Sequence, residues 1–335
     1  MKFLDRHTAA TTDLPFTDVY HTPEYGASAE LIDGGTWECA VADSGDAMYA
    51  YLRRPIQSSA TGEYDIVSPY GYGGPIASSA AGLAAFRQEF LTESRERGLV
   101  AEFIRTHPWD YDDDNLAALA SGDTTPHTTY TVARTEDVEE YFTGAEGRHR
   151  TAVRKALKNE LTIRKVDAAA ATDASHPFRV IYADTMERVG ASSRLRLGDD
   201  YFEALAAVRP EVDILMAEDT EGVVQAAAMF MAWEDRLHYH LSGATVEGQR
   251  IGATNLVLDH AVRELMSPGM RLHLGGGVQE GDGLSKFKRS LATETSEIHL
   301  CRTIVNPTRY AELCREAGDP ETEFFPAYRA PKVSS

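Results

Sequence analysis

The order in which apolar patterns follow one another is what most limits the fold of this chain. Residues 37–42 and 47–55 read as two strands joined by the turn Asp43-Ser-Gly-Asp46, and residues 63–68 as a third, short strand. A helix over 80–97 follows, with Leu83, Phe86, Phe90 and Leu91 at helical spacing and Gly98 as its stop. Residues 99–105 then form a buried strand closed by His107-Pro108. The same order returns later: strands over 212–218, 223–233 and 237–242, a helix over 253–266 and a strand over 270–274. Antiparallel pairs followed by one helix and one further strand predict an α/β (α+β) fold with mixed, largely antiparallel sheets, not a doubly wound parallel sheet.

Between the two runs the chain changes character. The acidic stretch Glu136-Asp-Val-Glu-Glu140 gives way to Gly144 and then to a basic helix from Arg148. This shift predicts two domains, 1–145 and 146–305. The second begins with a strand over 161–166 and helices over 178–190 and 199–208, and it ends with a short helix near Lys286 and a strand over 298–305. Ala168 to Ala174 is rich in alanine and reads as an exposed linker.

Charge and cysteine content narrow the function. The net charge is −19, from 33 basic and 52 acidic residues, so the overall field repels nucleic acid; a protein that coats DNA is excluded, and RNA must be met by a confined basic patch. Cys39, Cys301 and Cys314 are scattered thiols without metal or disulfide spacing. No apolar run approaches the ~20 residues of a membrane span. Asp5, Arg6, His7 and Asp13 interrupt the apolar core a signal peptide would need, so the cytoplasm is the expected compartment.

Four constellations could carry chemistry. Gly243 to Gly252, between a strand and the helix start at Thr254 and Asn255, forms a glycine-containing loop before a helix N-terminus, an arrangement that suits an anion or a plain connection. Gly275-Gly-Gly277 lets backbone approach a ligand closely; Lys286, Lys288 and Arg289 put three cations beside it with Phe287 among them, either to meet that ligand or as a solvated helix with Phe287 packed inward, and Lys288 is expected to be exposed. On the helix from Arg148, the cations Arg150, Arg154 and Lys158 share one face with Lys155 beside them, while Val153 and Leu157 make the apolar stripe; the face fits phosphate contacts or plain solvation. Ser68-Pro-Tyr-Gly-Tyr-Gly-Gly-Pro75 offers Tyr70 and Tyr72 as flat contacts for a peptide-like ligand, or is a rigid structural loop. His238 and His240 share a strand face with Tyr239 on the other, but no further metal ligand is specified, so neither metal nor cofactor is expected.

Together, residues 64–75, 148–164, 178–188 with Tyr201-Phe202, 237–243, Gly275-Gly-Gly277 and 284–288 resemble the Fem family of aminoacyltransferases and its acetyltransferase-like (GNAT-fold) relatives. The resemblance implies transfer of an aminoacyl group from aminoacyl-tRNA to the free amine of a peptide or peptide-like acceptor, a peptidoglycan precursor or a peptide antibiotic. It implies two acetyltransferase-like domains, with 306–335 packing back on the first. It places the family's Phe-Lys pair on Phe287-Lys288 and its central-strand tyrosine on Tyr239; His107, on the chemistry of its side chain and not from the family, is read as a base. It puts a substrate-binding arginine among Arg188, Arg194 and Arg196, beside Arg105, Tyr70 and Tyr72. Arg150, Arg154, Lys155, Lys158, Asn255 and Phe287 are the residues expected to meet the tRNA end. His107-Pro108 stands where bridge-forming members carry an Asp before Pro, and the coiled-coil arm of some members is missing, which favours a small peptide or amine over a cell-wall acceptor. An acyl-CoA-dependent N-acyltransferase and a non-catalytic binding module are the competing readings.

Overall fold

A computed structural model describes residues 1–57, 62–119, 121–209, 212–277, 279 and 281–331. The chain divides into two compact units, Met1–His127 with Ile298–Ser335, and Thr128–Glu297. The cut therefore falls before residue 145, so the acidic stretch Glu136 to Glu140 goes with the second unit.

The first unit opens with β1 (Lys2–Asp5), α1 (Arg6–Ala9) and α2 (Pro23–Asp33). Next come β2 (Thr36–Val41), β3 (Ala47–Pro55), β4 (Tyr64–Val67) and the short β5 (Ile76–Ala77). The helix α3 (Ala80–Glu96), β6 (Leu99–Arg105) and α4 (Asp113–Leu119) follow. β1, β2, β3 and β4 pair antiparallel in sequence, and β4 pairs parallel with β6. The helix between the parallel strands starts where Ser79 accepts from the Gly82 amide and stops ahead of Gly98, whose φ of 95° takes the left-handed turn. Its buried Leu83, Phe86 and Phe90 lie at the spacing the sequence predicts, and Phe86 and Phe90 share a core with Tyr49, Tyr51 and Ile104.

β7 (Asp123–Ala133) leads into the second unit. There follow α5 (Val138–Gly144), α6 (Gly147–Lys158), β8 (Thr162–Asp167), α7 (Pro177–Arg188) and α8 (Asp199–Ala206). Then come β9 (Val212–Glu218), β10 (Val224–Trp233), β11 (Arg236–Ala244), α9 (Val246–Ile251), α10 (Ala253–Glu264), β12 (Arg271–Gly275) and α11 (Gly283–Arg289). β8, β9, β10 and β11 are antiparallel neighbours, β11 and β12 are parallel, and β12 is antiparallel to β7. Both units thus contain an antiparallel series ending in one parallel pair with a helix in the connection, the mixed α/β architecture expected. Val224 to Met231 are buried throughout, as a central strand covered on both faces requires, and Ala226, Ala228 and Phe230 share a core with Val257, Leu258 and Leu272.

The chain then returns to the first unit through β13 (Glu294–Ile304) and α12 (Pro307–Glu316). Leu300 to Ile304 pair antiparallel with Ala101 to Arg105. Asp65, fully buried on β4, accepts from Arg54 Nε at 2.8 Å, Tyr328 Oη at 3.1 Å and the Arg329 guanidinium, which straps the last described segment to the strand.

Two expectations are corrected. Residues 168–174 are only partly an exposed linker: Ala168–Thr172 form a 3-10 turn capped by Asp167, with Ala168 and Ala171 buried, because small side chains let these two pack closely, while Ala169 and Thr172 to Ala174 are exposed. Leu157 is 56% exposed, so the apolar stripe of α6 is Val153 with Ala156 rather than Val153 with Leu157. No helix among the described residues is long and apolar enough to cross a membrane.

Candidate active site

In the second unit the parallel strands β11 and β12 are paired only at Arg236 to His238 and Arg271 to His273. Beyond that point lies a cavity of about 460 Å³, lined by β11 at Tyr239, Ser242, Gly243 and Ala244, by Gln249, by Thr254 and Asn255 on α10, by Gly283, Leu284 and Phe287 on α11, and by Thr185 on α7. The register of β10 with β11 skips His240: Phe230 faces Tyr239 and Met229 faces Leu241. That bulge changes which side chains share a face. Tyr239 and Ser242, three residues apart, would point to opposite faces of a regular strand, yet Tyr239 Oη donates to Ser242 Oγ at 2.6 Å. Burial pushes the Tyr239 hydroxyl up to about 12, so it keeps its proton at neutral pH.

At the other wall, α10 begins at Gly252, which no side chain caps and whose φ is 86°. A Cβ there would run into the Ala152 carbonyl oxygen, so glycine is what lets α6 pass so near the helix start. Asn255 Nδ2 meets His149 Nδ1 at 2.9 Å, and His149 Nε2 meets Tyr141 Oη at 2.9 Å. Burial and the charge of Arg150 push His149 down to about 4; the neutral ring holds one partner as donor and the other as acceptor, fixing the Asn255 amide at the cavity. Among the described residues the lining contains no carboxylate, lysine, histidine or cysteine.

Lys288 is not solvent-facing as expected. It is 8% exposed, donates from Nζ to the Gly276 carbonyl at 2.8 Å, and is lowered by burial to about 8, with Asp282 opposing. It lies outside the cavity lining, whereas its neighbour Phe287 is part of it. His240 Nε2 meets Tyr201 Oη at 2.7 Å, and burial followed by the nearby His238 pushes it down to about 3.

The basic face of α6 is divided. Arg150 donates to the Thr143 carbonyl at 2.8 Å and to the Ala145 carbonyl, closing the end of α5, and Lys155 donates to the Arg250 carbonyl at 2.7 Å. Arg154, with its guanidinium 5.8 Å from the Phe142 ring centre, and Lys158 remain exposed. Of the three candidate arginines, Arg188 reaches the cavity rim, donating to the Ala244 carbonyl at 2.7 Å and to Thr185 Oγ1 at 3.3 Å. Arg196 lines a separate cavity, and Arg194 lines neither.

The first-unit candidates gather around the loop 68–75. Gly73 donates to the Arg105 carbonyl at 2.8 Å and accepts from the His107 amide at 3.1 Å, so the loop runs alongside the end of β6. Arg105 donates to the Pro69 carbonyl at 3.1 Å, and Tyr25 donates to the Tyr70 carbonyl. Tyr72 packs edge-on to Tyr20, with ring centres 5.7 Å apart, and burial raises its hydroxyl above the ordinary tyrosine range. These contacts favour the rigid structural loop. His107 is buried between two carboxylates, Asp18 at 3.1 Å from Nε2 and Asp110 at 3.4 Å from Nδ1. Sequence reasoning missed Ser242 and Thr185 as lining residues, which the bulge and the approach of α7 bring in without a mark in the local pattern, and His149 behind Asn255; Gln249 lies in the glycine-containing loop singled out from the sequence.

Residues 146–289 match the family model of the acetyltransferase (GNAT) domain. None of the curated proteins matches the sequence. Among solved structures, FemX superposes with a TM-score of 0.66 at 15% identity, covering 93% of this chain and 99% of that one. A lysylphosphatidylglycerol synthetase C-terminal domain from Agrobacterium fabrum gives 0.54 at 15% identity, covering 87% of this chain and 91% of that one. L-PGS from Bacillus licheniformis gives 0.54 at 12% identity, covering 84% and 86%.

Proposed function

We propose that the chain is an acyltransferase that moves an aminoacyl group from aminoacyl-tRNA to the free amine of a peptide or peptide-like acceptor, a reading supported by its structural likeness to FemX and its match to the acetyltransferase domain model. The observation that carries this reading is the chemistry of the cavity that β11, α10 and α11 line. Among the described residues its lining offers hydroxyls, amides and an uncapped helix start but no carboxylate, lysine, histidine or cysteine. Such a site cannot activate an acyl group by itself, so it suits a donor that arrives activated, as an ester or thioester does. In the reaction the amine nitrogen bonds the ester carbonyl carbon, the bond from that carbon to the ribose oxygen breaks, and the amine proton ends on the leaving hydroxyl. The protein then has to hold the amine in line and to stabilise the oxyanion.

Ser242 and Asn255 are positioned to donate hydrogen bonds and Tyr239 orients Ser242; Lys288, outside the lining and bonded to the Gly276 carbonyl, adds positive charge to the field at the site without touching the reacting atoms. Arg188 stands at the rim for an anionic part of the substrate. The lysylphosphatidylglycerol synthetase likeness supports aminoacyl transfer on this fold, and a reaction using charged tRNA belongs in the cytoplasm. The second reading, an acyl-CoA donor, draws on the acetyltransferase domain model together with the uncapped start of α10, whose dipole favours a pyrophosphate. A labelled-transfer assay decides between them, with total aminoacyl-tRNA in one arm and acetyl-CoA in the other, offered to mixed dipeptides. Ribonuclease-sensitive label in the peptide is expected. Ribonuclease-resistant transfer from acetyl-CoA alone would overturn the tRNA reading, and label in neither arm would overturn acyl transfer to peptides.

A further inference from the structure

The second unit holds another cavity, of about 520 Å³, which the transfer chemistry does not use. It lies along α7, the helix whose Thr185 lines the first cavity, and is closed by the segment leading into α8. Its apolar lining includes Tyr182, Met186, Leu195, Leu197 and Phe202. Tyr182 Oη donates to the Leu195 carbonyl at 3.0 Å, which ties the connecting segment to the helix and keeps the wall in place.

The charges around that lining fall into two groups. Arg179 is already engaged: it pairs with Asp199 at 2.7 Å, donates to the Ala171 carbonyl at 3.1 Å, and lies over the Phe202 ring at 4.1 Å. Asp184 and Glu187 on α7, and Arg196 on the connecting segment, have no ion pair or side-chain hydrogen bond among the described residues. Asp184 and Glu187 are three apart on a helix and so are neighbours on its surface. A cavity with an apolar lining, a carboxylate pair and a guanidinium, none of them neutralised within the protein, matches a ligand with an apolar body and both an ammonium and a carboxylate. The volume falls within the roughly 300–1,000 Å³ of small-molecule sites.

We propose that this cavity binds a small zwitterion with an apolar side chain, of the class of a dipeptide. The ammonium faces Asp184 and Glu187, the carboxylate takes the two parallel N–H bonds a guanidinium offers at Arg196, and the side chains cover Tyr182, Leu195, Leu197 and Phe202. The site deepens the acyl-transfer reading, which it would serve by selecting the peptide acceptor, but binding itself needs no donor and no turnover.

The full chain is titrated calorimetrically with Leu-Phe, with N-acetyl-Leu-Phe and with Leu-Phe amide. Leu-Phe is expected to bind, and each blocked peptide to bind at least ~10-fold more weakly, since each loses one charge-assisted contact. Arg196→Gln should remove the preference over the amide alone, and Asp184→Asn with Glu187→Gln the preference over the acetyl form alone. These residues are exposed, so the variants should keep the native circular dichroism spectrum. Failure of Leu-Phe to bind, equal binding of the three peptides, or unchanged preferences in the variants would overturn the site. Intact binding without transfer in any assay would instead count against the reaction and leave this site standing.

Discussion

At the scale of single residues, Lys288 shows where the sequence runs out. Lys286, Lys288 and Arg289 look alike in the chain, yet only Lys288 is buried, because the carbonyl that receives it belongs to a glycine twelve positions earlier. Burial lowers its value from 10.5 to about 8, so between those two values the unfolded chain holds more protons than the folded one. Stability contributed through this group therefore rises as pH increases from about 8 to about 10.5, with a total on the order of 3 kcal/mol. Paired urea titrations across this range should find the rise in the native chain and not in Lys288→Met. The same variant should lower kcat by ~10²–10³ with little change in KM if the charge acts on the transition state. A second expectation concerns the hydroxyl pair. Tyr239 spends its only hydrogen on Ser242, which leaves the serine hydrogen for the substrate. Ser242→Ala should cost ~10² in kcat and Tyr239→Phe nearer ~10, since phenylalanine frees the serine without removing it; the reverse order in steady-state kinetics would refute the assignment.

Among the elements, those built on long periodic patterns were legible. The spacing of Leu83, Phe86 and Phe90 located α3, and the turn at residues 43–46 located the β2–β3 pair, because both signals are local. The bulge at His240 was not legible: alternation alone places Tyr239 and Ser242 on opposite faces, and the skipped residue is set by how β10 and β11 settle against the core. The basic face of α6 was legible as charge but not as function, since Arg150 and Lys155 are used on backbone carbonyls. Only Arg154 and Lys158 remain as candidate phosphate contacts. Reversing both to Glu should weaken tRNA binding and reduce its salt slope by roughly 1.5–2 in filter-binding measurements over a salt series. Arg150→Glu should instead lower the melting temperature, because the carbonyls at the end of α5 lose their donor.

The whole molecule has two units, each with an antiparallel series ending in a parallel pair, and the same order of apolar patterns returns along the sequence. Where the chain divides was less visible: a composition shift marks the acidic stretch before α6, whereas the units separate within β7, a strand without a break in its pattern. The closure of the first unit through Asp65 was invisible, since its partners Tyr328 and Arg329 stand more than 250 residues away in sequence. Asp65→Ala leaves Arg54 and Arg329 without the buried carboxylate both need, a loss of roughly 3–5 kcal/mol. Urea unfolding should register that loss, and limited proteolysis should cut the segment after α12 faster than in the native chain.

The same strap has a consequence for synthesis. The second unit is one uninterrupted stretch of chain, but the first needs residues from Ile298 onward, which leave the ribosome only after all of the second unit has been made. A ribosome part-way through the message therefore carries a first unit still missing β13 and the Arg329 that closes on Asp65, while the second already has every residue it requires.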